Sequence, residues 1–213
     1  MHRRALQILV ATVVLACGVP LALSHSRLST GTIVYNYVGR IYIDPATGTG
    51  QVAGYFTSIA GIDDPFLGTP GEATAFFTYR SEPLHFKTLP NDVDTGITLL
   101  DAGKWHIYYN PNPAGNWNDP SSFSQGQLVA DLTHNALQIV SSGPAHAAVF
   151  SGELLASHDF VFGGKTLNFA GFFPNGVTNF SFATNTVVAG PSEFPVTFAD
   201  AGWAVAKGHT PDK

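Results

Sequence analysis

Short runs of alternating apolar and polar residues recur along the chain, separated by residues that favour turns. Thr32–Ile43 leads through the sequence DPATGTG into Gln51–Ser58, which predicts a first β-hairpin. Asn175-Gly176 separates two later runs, and Asn-Gly in that position is a strong hairpin signal. No window repeats apolar residues with helical period over three turns. We therefore expect about ten to twelve antiparallel strands and no helix.

Both faces of the first run carry large side chains. One face is almost entirely apolar and holds Ile33, Tyr35, Tyr37, Ile41 and Ile43. The other face is mixed and holds Val34, Asn36, Val38, Arg40 and Tyr42. A mixed face suits the partly polar interior of a barrel, or a sheet covered by loops. Four glycines within the predicted strands fit the bends of a closing barrel: Gly39, Gly54, Gly152 and Gly171. We expect an all-β protein with a single antiparallel β-barrel, and a β-sandwich is the alternative.

The composition supports the all-β prediction. The chain has 16 Phe, 7 Tyr and 22 Gly, and only 12% of its residues are charged, which is unlike the mixture that fills helices. No linker and no repeat of fixed period divides it. We expect one barrel domain over residues 25–207, followed by a polar tail at residues 208–213.

The first 24 residues have the organisation of a secretory signal sequence. His2-Arg3-Arg4 precedes an almost uncharged apolar run, and Ala22-Leu23-Ser24 supplies small residues where a signal peptidase reads them. We expect cleavage after Ser24 and a secreted or periplasmic protein. Two alternatives remain. Ala5–Leu23 approaches the about 20 residues that cross a bilayer, and the surroundings of Cys17 loosely resemble a bacterial lipobox.

Cleavage would change the chemistry of the chain. It would remove Cys17, the only cysteine, so we expect no disulfide and no thiol nucleophile in the mature protein. It would also remove Arg3 and Arg4, which lowers Lys plus Arg from 10 to 8 against 15 Asp plus Glu, a formal charge of −7. Binding to a nucleic-acid backbone needs clustered Lys and Arg, and no cluster is present. We expect no nucleic-acid partner, and no membrane contact after signal removal.

The longest polar connection runs from Tyr108 to Gly126, with the sequence YYNPNPAGNWNDPSSFSQG. Its Asn residues and Asp119 offer oxygen ligands, but a tight calcium loop collects several carboxylates. The histidines of the chain lack the spacing of a zinc site. We therefore expect no metal and no cofactor. Asn and Pro favour the turns of this loop, whereas Trp117 and Phe123 are expected to fold back as a flap over one mouth of the barrel.

Glu153 is the carboxylate that stands within a strongly apolar run. It shares its predicted face with Val149, Ser151 and Leu155. A carboxylate in such a place needs a partner or acquires a raised pKa, and Arg40 is the cation at the centre of a strand with a similarly mixed face. One hypothesis is a structural ion pair or an exposed Glu. The other is a Glu153–Arg40 pair that lines the barrel interior.

The second hypothesis gives a candidate site. Glu153 would act as general acid or base, and Arg40 or Tyr42 would stabilise developing charge. The candidate ligand-binding residues are Tyr55, Trp117, Phe123, Asn168 and Asn179. A nucleophilic triad is not expected from Ser157-His158-Asp159, because adjacent residues of a strand point to opposite faces.

The expected plan is similar in outline to calycin-like and to allene-oxide-cyclase-like or dirigent-like barrels. It shares with them short antiparallel strands, many Gly and Phe, and polar groups inside. The resemblance implies a barrel that holds an apolar small molecule, and in some members of those families the barrel steers a cyclisation. No motif of those families occurs in this sequence, so none of their functional residues is carried over.

Three functions follow from these observations. The first is an exported domain that binds a small, mostly apolar ligand in the barrel lumen. The second is an isomerase or cyclase that needs no cofactor and uses a desolvated Glu. The third is a structural secreted protein without a ligand.

Overall fold

The computed structural model describes residues 28–89, 95–135 and 137–208, with only the backbone described at Asn185. The predicted signal sequence, its cleavage site and Cys17 lie outside the described residues, as does the tail after Gly208. Strands dominate the described residues, which contain two short 3₁₀ helices, Pro120–Ser124 and Phe169–Gly171, and no α-helix.

The strands in chain order are β1 (Ile33–Asp44), β2 (Thr49–Ile59), β3 (Phe77–Ser81), β4 (Leu84–Leu89), β5 (Thr95–Leu100), β6 (Gly103–Tyr109), β7 (Gln127–His134), β8 (Leu137–Ser142), β9 (Ala145–Gly152), β10 (Leu154–Ser157), β11 (Phe160–Phe162), β12 (Lys165–Leu167), β13 (Val177–Val187) and β14 (Val196–Ala206).

Eight of these strands close a barrel. The order around the ring is β1, β2, β4, β5, β8, β9, β13 and β14, and β14 returns to pair with β1. Every pairing in the ring is antiparallel. The predicted single antiparallel β-barrel is confirmed, and it prevails over the sandwich because the ring of hydrogen bonds leaves no free edge.

Four further strands extend this sheet at one end of the ring. β3 pairs with β2, and β6, β7 and β10 follow in order beside it. Each of the four is separated by only one or two residues of chain from a strand of the ring: β3 from β4, β6 from β5, β7 from β8 and β10 from β9. Glu82 and Pro83 separate β3 from β4, where Pro83 cannot donate to the ladder, and Glu153 separates β9 from β10.

The two faces of β1 meet different surroundings. Tyr37 and Ile41 face a cavity inside the barrel, so the alternation of a strand turns Arg40 and Tyr42 outward. Tyr42 is nevertheless fully buried, because the connection between β6 and β7 covers this part of the outer wall. The mixed face of β1 therefore lies on the outside of the barrel and is covered by a loop. The sequence allowed this arrangement as the alternative to a partly polar barrel interior.

An aromatic cluster closes one end of the barrel. Its centre is Tyr35, whose ring lies 4.9 Å from that of Phe56 and 5.9 Å from that of Trp105. Phe173, 6.4 Å from Tyr35, comes from the connection between β10 and β13, which contains the β11–β12 hairpin and the second 3₁₀ helix. Gly171, predicted to bend a strand, lies in that 3₁₀ helix instead.

Gly39 shows how the wall accommodates large rings. A Cβ atom at this position would overlap the hydroxyl of Tyr79. Gly39 pairs with Asp200 of β14 on one side and with Gly54 of β2 on the other. The missing side chain lets the Tyr79 ring lie against the wall, so this glycine serves close packing within the barrel.

Candidate functional site

The barrel interior holds an apolar cavity of about 90 Å³. Its walls are mostly aliphatic and aromatic, with Ile41, Leu84, Leu100 and Phe150 among them. A second cavity of about 400 Å³ lies beside it, at the end where β1 turns into β2. The two share Ile41, Phe86 and Ile139 in their walls. The lumen thus leads from the aromatic cluster towards the opposite mouth, and the larger cavity lies within the range of about 300–1,000 Å³ typical of ligand pockets.

Four buried polar atoms of the described residues have no hydrogen-bond partner in the protein. They are Tyr79 Oη, Trp105 Nε1, His134 Nε2 and Asn179 Nδ2. All four residues line the smaller cavity, and each is at least nine-tenths buried. Buried polar groups in native proteins are normally paired, and leaving one unpaired costs about 1–3 kcal/mol. The residues around this cavity therefore carry unused hydrogen-bonding capacity.

The amide of Asn179 has a fixed orientation. The hydroxyl of Tyr35 donates a 2.8 Å hydrogen bond to Asn179 Oδ1, so the Nδ2 group is the free end of the side chain. An amide nitrogen can only donate. Trp105 Nε1 is likewise a donor only. A group that pairs with these two N–H groups must therefore be a hydrogen-bond acceptor.

His134 presents an acceptor. Its Nδ1 atom lies 3.2 Å from the carbonyl oxygen of Asn135 and must donate to it. Burial lowers the pKa of His134 below its usual value, so the ring is neutral near pH 7 and Nε2 carries no proton. A ligand hydroxyl can donate to this nitrogen.

Asp200 is the buried carboxyl of the lumen. It is 4% exposed, lines the same cavity, and accepts a 2.6 Å hydrogen bond from Ser181 Oγ. Burial raises the pKa of Asp200 to about 7, against the opposing effect of hydrogen bonds from Ser181 and from the backbone of Ala201. Among the described residues that line the cavity there is no Lys or Arg. Asp200 therefore exchanges its proton near neutral pH without a cationic partner.

Two tyrosines surround this carboxyl. Burial raises the pKa of Tyr37 and of Tyr79 well above the usual value, and the charge of Asp200 adds to the shift in both. Both phenols stay protonated at neutral pH. They supply hydroxyl groups and no charge to the lumen.

The predicted Glu153–Arg40 pair is not formed. Glu153 lies in the break between β9 and β10 with its side chain 67% exposed, and its ionic partner is Lys207, with Nζ 3.9 Å from Oε1. Arg40 donates to the carbonyl oxygen of Ala189 and lies over the ring of Trp117, 4.7 Å from its centroid. The structure thus places both predicted catalytic charges outside the lumen, Arg40 on the outward face of β1 and Glu153 in an exposed break between two strands.

The third predicted catalytic residue, Tyr42, is also outside the lumen. Its hydroxyl donates a 3.1 Å hydrogen bond to the carbonyl oxygen of Trp117. Burial is the main cause that raises the pKa of Tyr42. The side chain therefore anchors the long loop to the outer wall.

The loop after β6 is ordered as expected but covers a different surface. Trp117 and Phe123 pack on each other with ring centroids 4.8 Å apart, and Tyr55 lies 5.8 Å from Trp117. They belong to a cluster with Tyr42 and Ala53 on the outside of β1 and β2. The loop is therefore a cover of the outer wall and does not lie over the mouth, because its aromatic side chains meet the outward face of β1. Asx turns satisfy its backbone, as predicted, since Asn110 accepts from the amide of Asn112.

The two predicted asparagines separate. Asn168 caps the second 3₁₀ helix by accepting from Ala170 N and donates to Asp159 Oδ1 at 2.7 Å. Asn179 lies in the lumen with Asp200, Tyr79 and Trp105. Of the eight predicted site residues, Asn179 is the one that the structure brings into the cavity.

Sequence reasoning missed Asp200. In β14 it shares a face with Phe198, Gly202 and Ala204, while Trp203 stands on the other face. A signal was present, since Asp200 is the sole charged residue of this apolar strand.

Comparison of the chain with protein-family models, with curated proteins and with solved structures gives no match. The described part of the chain has no helix of the length and hydropathy needed to cross a membrane. Nor do its described His, Cys, Asp and Glu residues form a group of three suited to a metal ion. The fold and the cavity thus define the class: a closed antiparallel barrel with an apolar lumen and polar groups at its inner end.

Proposed function

We propose that the protein binds a small, mostly apolar molecule in the barrel lumen. One observation carries the proposal: four residues that line a single apolar cavity each carry a buried polar atom without a hydrogen-bond partner among the described residues. Ligand pockets typically combine apolar walls with a few polar groups that fix orientation. The lumen has both features, and the neighbouring mouth cavity gives a bound molecule room to extend.

The wall chemistry favours an uncharged ligand with one polar end. An anion would lie beside Asp200 with no Lys or Arg among the described lining residues, and an unpaired buried charge is costly. The free donors at Trp105 and Asn179 select a ligand oxygen that accepts hydrogen bonds. The apolar body of the ligand would then contact Ile41, Phe86 and Ile139 towards the mouth.

Thermal unfolding of the protein with benzene, cyclohexanol and cyclohexanone tests the proposal. A ligand at about 100 times its Kd adds about 2.7 kcal/mol, which raises the melting temperature of a domain of this size by about 5–10 °C. We expect the two oxygenated compounds to raise it more than benzene, because only they pair with the free polar atoms.

Two variants on the same strand locate the binding site. Ala148→Leu adds volume inside the lumen, whereas Ala147→Leu makes the same change on the exposed outer face. We expect the first variant to lose the ligand-induced shift and the second to keep it. Equal shifts in both variants, or no shift for any compound with the wild type, would refute binding in the lumen.

A further inference from the structure

We propose that the lumen holds a neutral ketone, with its oxygen at the N–H groups of Asn179 and Trp105, and that Asp200 moves a proton on the carbon next to the carbonyl. This inference rests on the proposed ligand-binding function of the same cavity. Its basis is a juxtaposition: Asp200, Asn179 and Trp105 line one apolar chamber, the N–H groups of the last two have no partner, and no Lys or Arg is among the described lining residues.

The donors define the group that binds. Asn179 Nδ2 and Trp105 Nε1 can only donate, so the ligand must accept. A ketone oxygen has two lone pairs and no charge, which matches two donors in a cavity without Lys or Arg among its described walls. A carboxylate would satisfy the same donors, but its charge would remain unpaired beside Asp200.

The strand register places the Asp200 carboxyl closer to the mouth of the barrel than the N–H group of Asn179, by about two residues along β13. Asn179 and Ser181 face the lumen from β13 and are two residues apart, a distance of about 6.6 Å along a strand. Ser181 holds Asp200 by a 2.6 Å hydrogen bond. A ketone whose oxygen contacts Asn179 therefore directs its neighbouring carbon towards Asp200.

The proton transfer needs no further reactant. The Asp200 carboxylate removes a proton from the carbon next to the carbonyl, the C–H electron pair forms a carbon–carbon double bond, and the carbonyl π pair moves onto oxygen. The N–H groups of Asn179 and Trp105 stabilise this enolate oxygen. The Asp200 acid then returns the proton to the same carbon, or to the far carbon of a β,γ-unsaturated ketone, which shifts the double bond. Atoms and electrons balance, and no net oxidation occurs.

The surroundings of Asp200 support this role. A group exchanging protons near the working pH is the most effective acid–base catalyst, and burial brings the pKa of Asp200 to about 7. The titratable groups around it are Tyr37 from β1, Tyr79 from β3 and His134 from β7, with His146 of β9 at the mouth. Both tyrosines have raised pKa values and His134 a lowered one, for which burial is the main cause. We therefore expect the rate near pH 7 to follow Asp200.

Two probes test the inference. Cyclohexanone in D₂O reports exchange of the hydrogens next to its carbonyl by proton nuclear magnetic resonance. Cyclohex-3-enone reports movement of the double bond, because the conjugated product absorbs in the ultraviolet. We expect the wild-type protein to accelerate both reactions over buffer. Asp200→Asn should lower the rate by about 10²–10⁴-fold, and Trp105→Phe by about 10²–10³-fold.

Matched variants separate chemistry from folding. Asp63→Asn makes the same substitution at an exposed site and should leave the rate unchanged. Ser181→Ala removes the hydrogen bond that favours the ionised carboxylate, so the rise of the rate with pH should move to higher pH. A purely structural role of Ser181 would leave that midpoint in place. Cyclohexanone binding to each variant is followed by the thermal shift described above.

The outcomes distinguish this inference from the proposed function. If ketones bind in the lumen but neither exchange nor isomerisation is accelerated, the inference is refuted and the binding function stands. The same holds if benzene binds and ketones do not. Activity that survives Asp200→Asn but is lost in Glu153→Gln would also refute it. If no compound binds, both proposals fall together.

Discussion

Ser181 Oγ lies 2.6 Å from Asp200 Oδ1 and donates a hydrogen bond to it between two neighbouring strands of the barrel wall. The hydroxyl favours the ionised carboxylate, whereas burial favours the neutral acid. Burial has the larger effect, and the pKa of Asp200 rises to about 7. The pair therefore sets both the charge of the lumen and the response of the fold to pH.

The stability of the protein is expected to depend on pH through Asp200. Its folded-state pKa of about 7 lies above the ordinary value of 3.8 for an aspartic acid, so its favourable contribution is complete below about pH 4 and is lost as the pH rises through 7. A difference of about three pKa units corresponds to about 4 kcal/mol. Urea unfolding of wild type and Asp200→Asn at pH 4, 6 and 8 measures it. We expect the variant to become the more stable protein as the pH rises, and parallel curves would contradict this.

Tyr35→Phe should destabilise the closed end of the barrel. The change removes the 2.8 Å hydrogen bond to Asn179 Oδ1 and leaves that buried oxygen without its donor, at a cost of about 1–3 kcal/mol. Tyr79→Phe is the matched control, because the Tyr79 hydroxyl is also buried but has no hydrogen-bond partner among the described residues. Urea unfolding should show the larger loss for Tyr35→Phe. Equal losses would show that the Asn179 contact has no special weight.

Trp117→Ala should weaken the fold without affecting the lumen. The ring packs on Phe123 and under Arg40 on the outer wall, so its partial burial should contribute about 2 kcal/mol to the free energy of unfolding. Titration with cyclohexanone should give an unchanged Kd, since the loop lies away from the mouth. Binding weaker by tenfold would contradict this expectation and would support the flap over the barrel mouth that the sequence predicted.

Gly39→Ala and Tyr79→Phe are expected to be strongly coupled. A Cβ atom at Gly39 overlaps the Tyr79 hydroxyl, so Gly39→Ala alone should cost about 1–3 kcal/mol through overpacking. Tyr79→Phe removes that hydroxyl, which has no partner among the described residues. A double-mutant cycle by urea unfolding should show that the second change recovers at least about 1 kcal/mol of the first. If the effects of the two changes on the free energy of unfolding simply add, the overlap with the Tyr79 hydroxyl is not the cause of the loss in Gly39→Ala.

The alternation of residues along β9 does not reveal which of its two faces points into the barrel. One of the two hypotheses for Glu153 places it in the interior with Val149 and Leu155 on the same face, yet those two residues are 56% and 51% exposed. The inward face of β9 carries Ala148 and Phe150 instead. Both faces of β9 therefore carry apolar side chains, and Val149 on one of them does not reveal which face points inward.

The sequence by itself determined an all-β chain of antiparallel strands and turns, because period-2 alternation and turn residues act over short stretches of chain. It favoured a barrel over a sandwich, but the tertiary structure decided that the ring closes. The sequence also separated the residues of each strand into two faces. Only the tertiary structure decided which face points inward, since both faces of β1 carry buried tyrosines, Tyr35 and Tyr42. That choice depends on closure of the ring and on what the connecting loops cover. Both are set by contacts between residues far apart in the chain, such as Tyr35 with Asn179 and Tyr42 with Trp117.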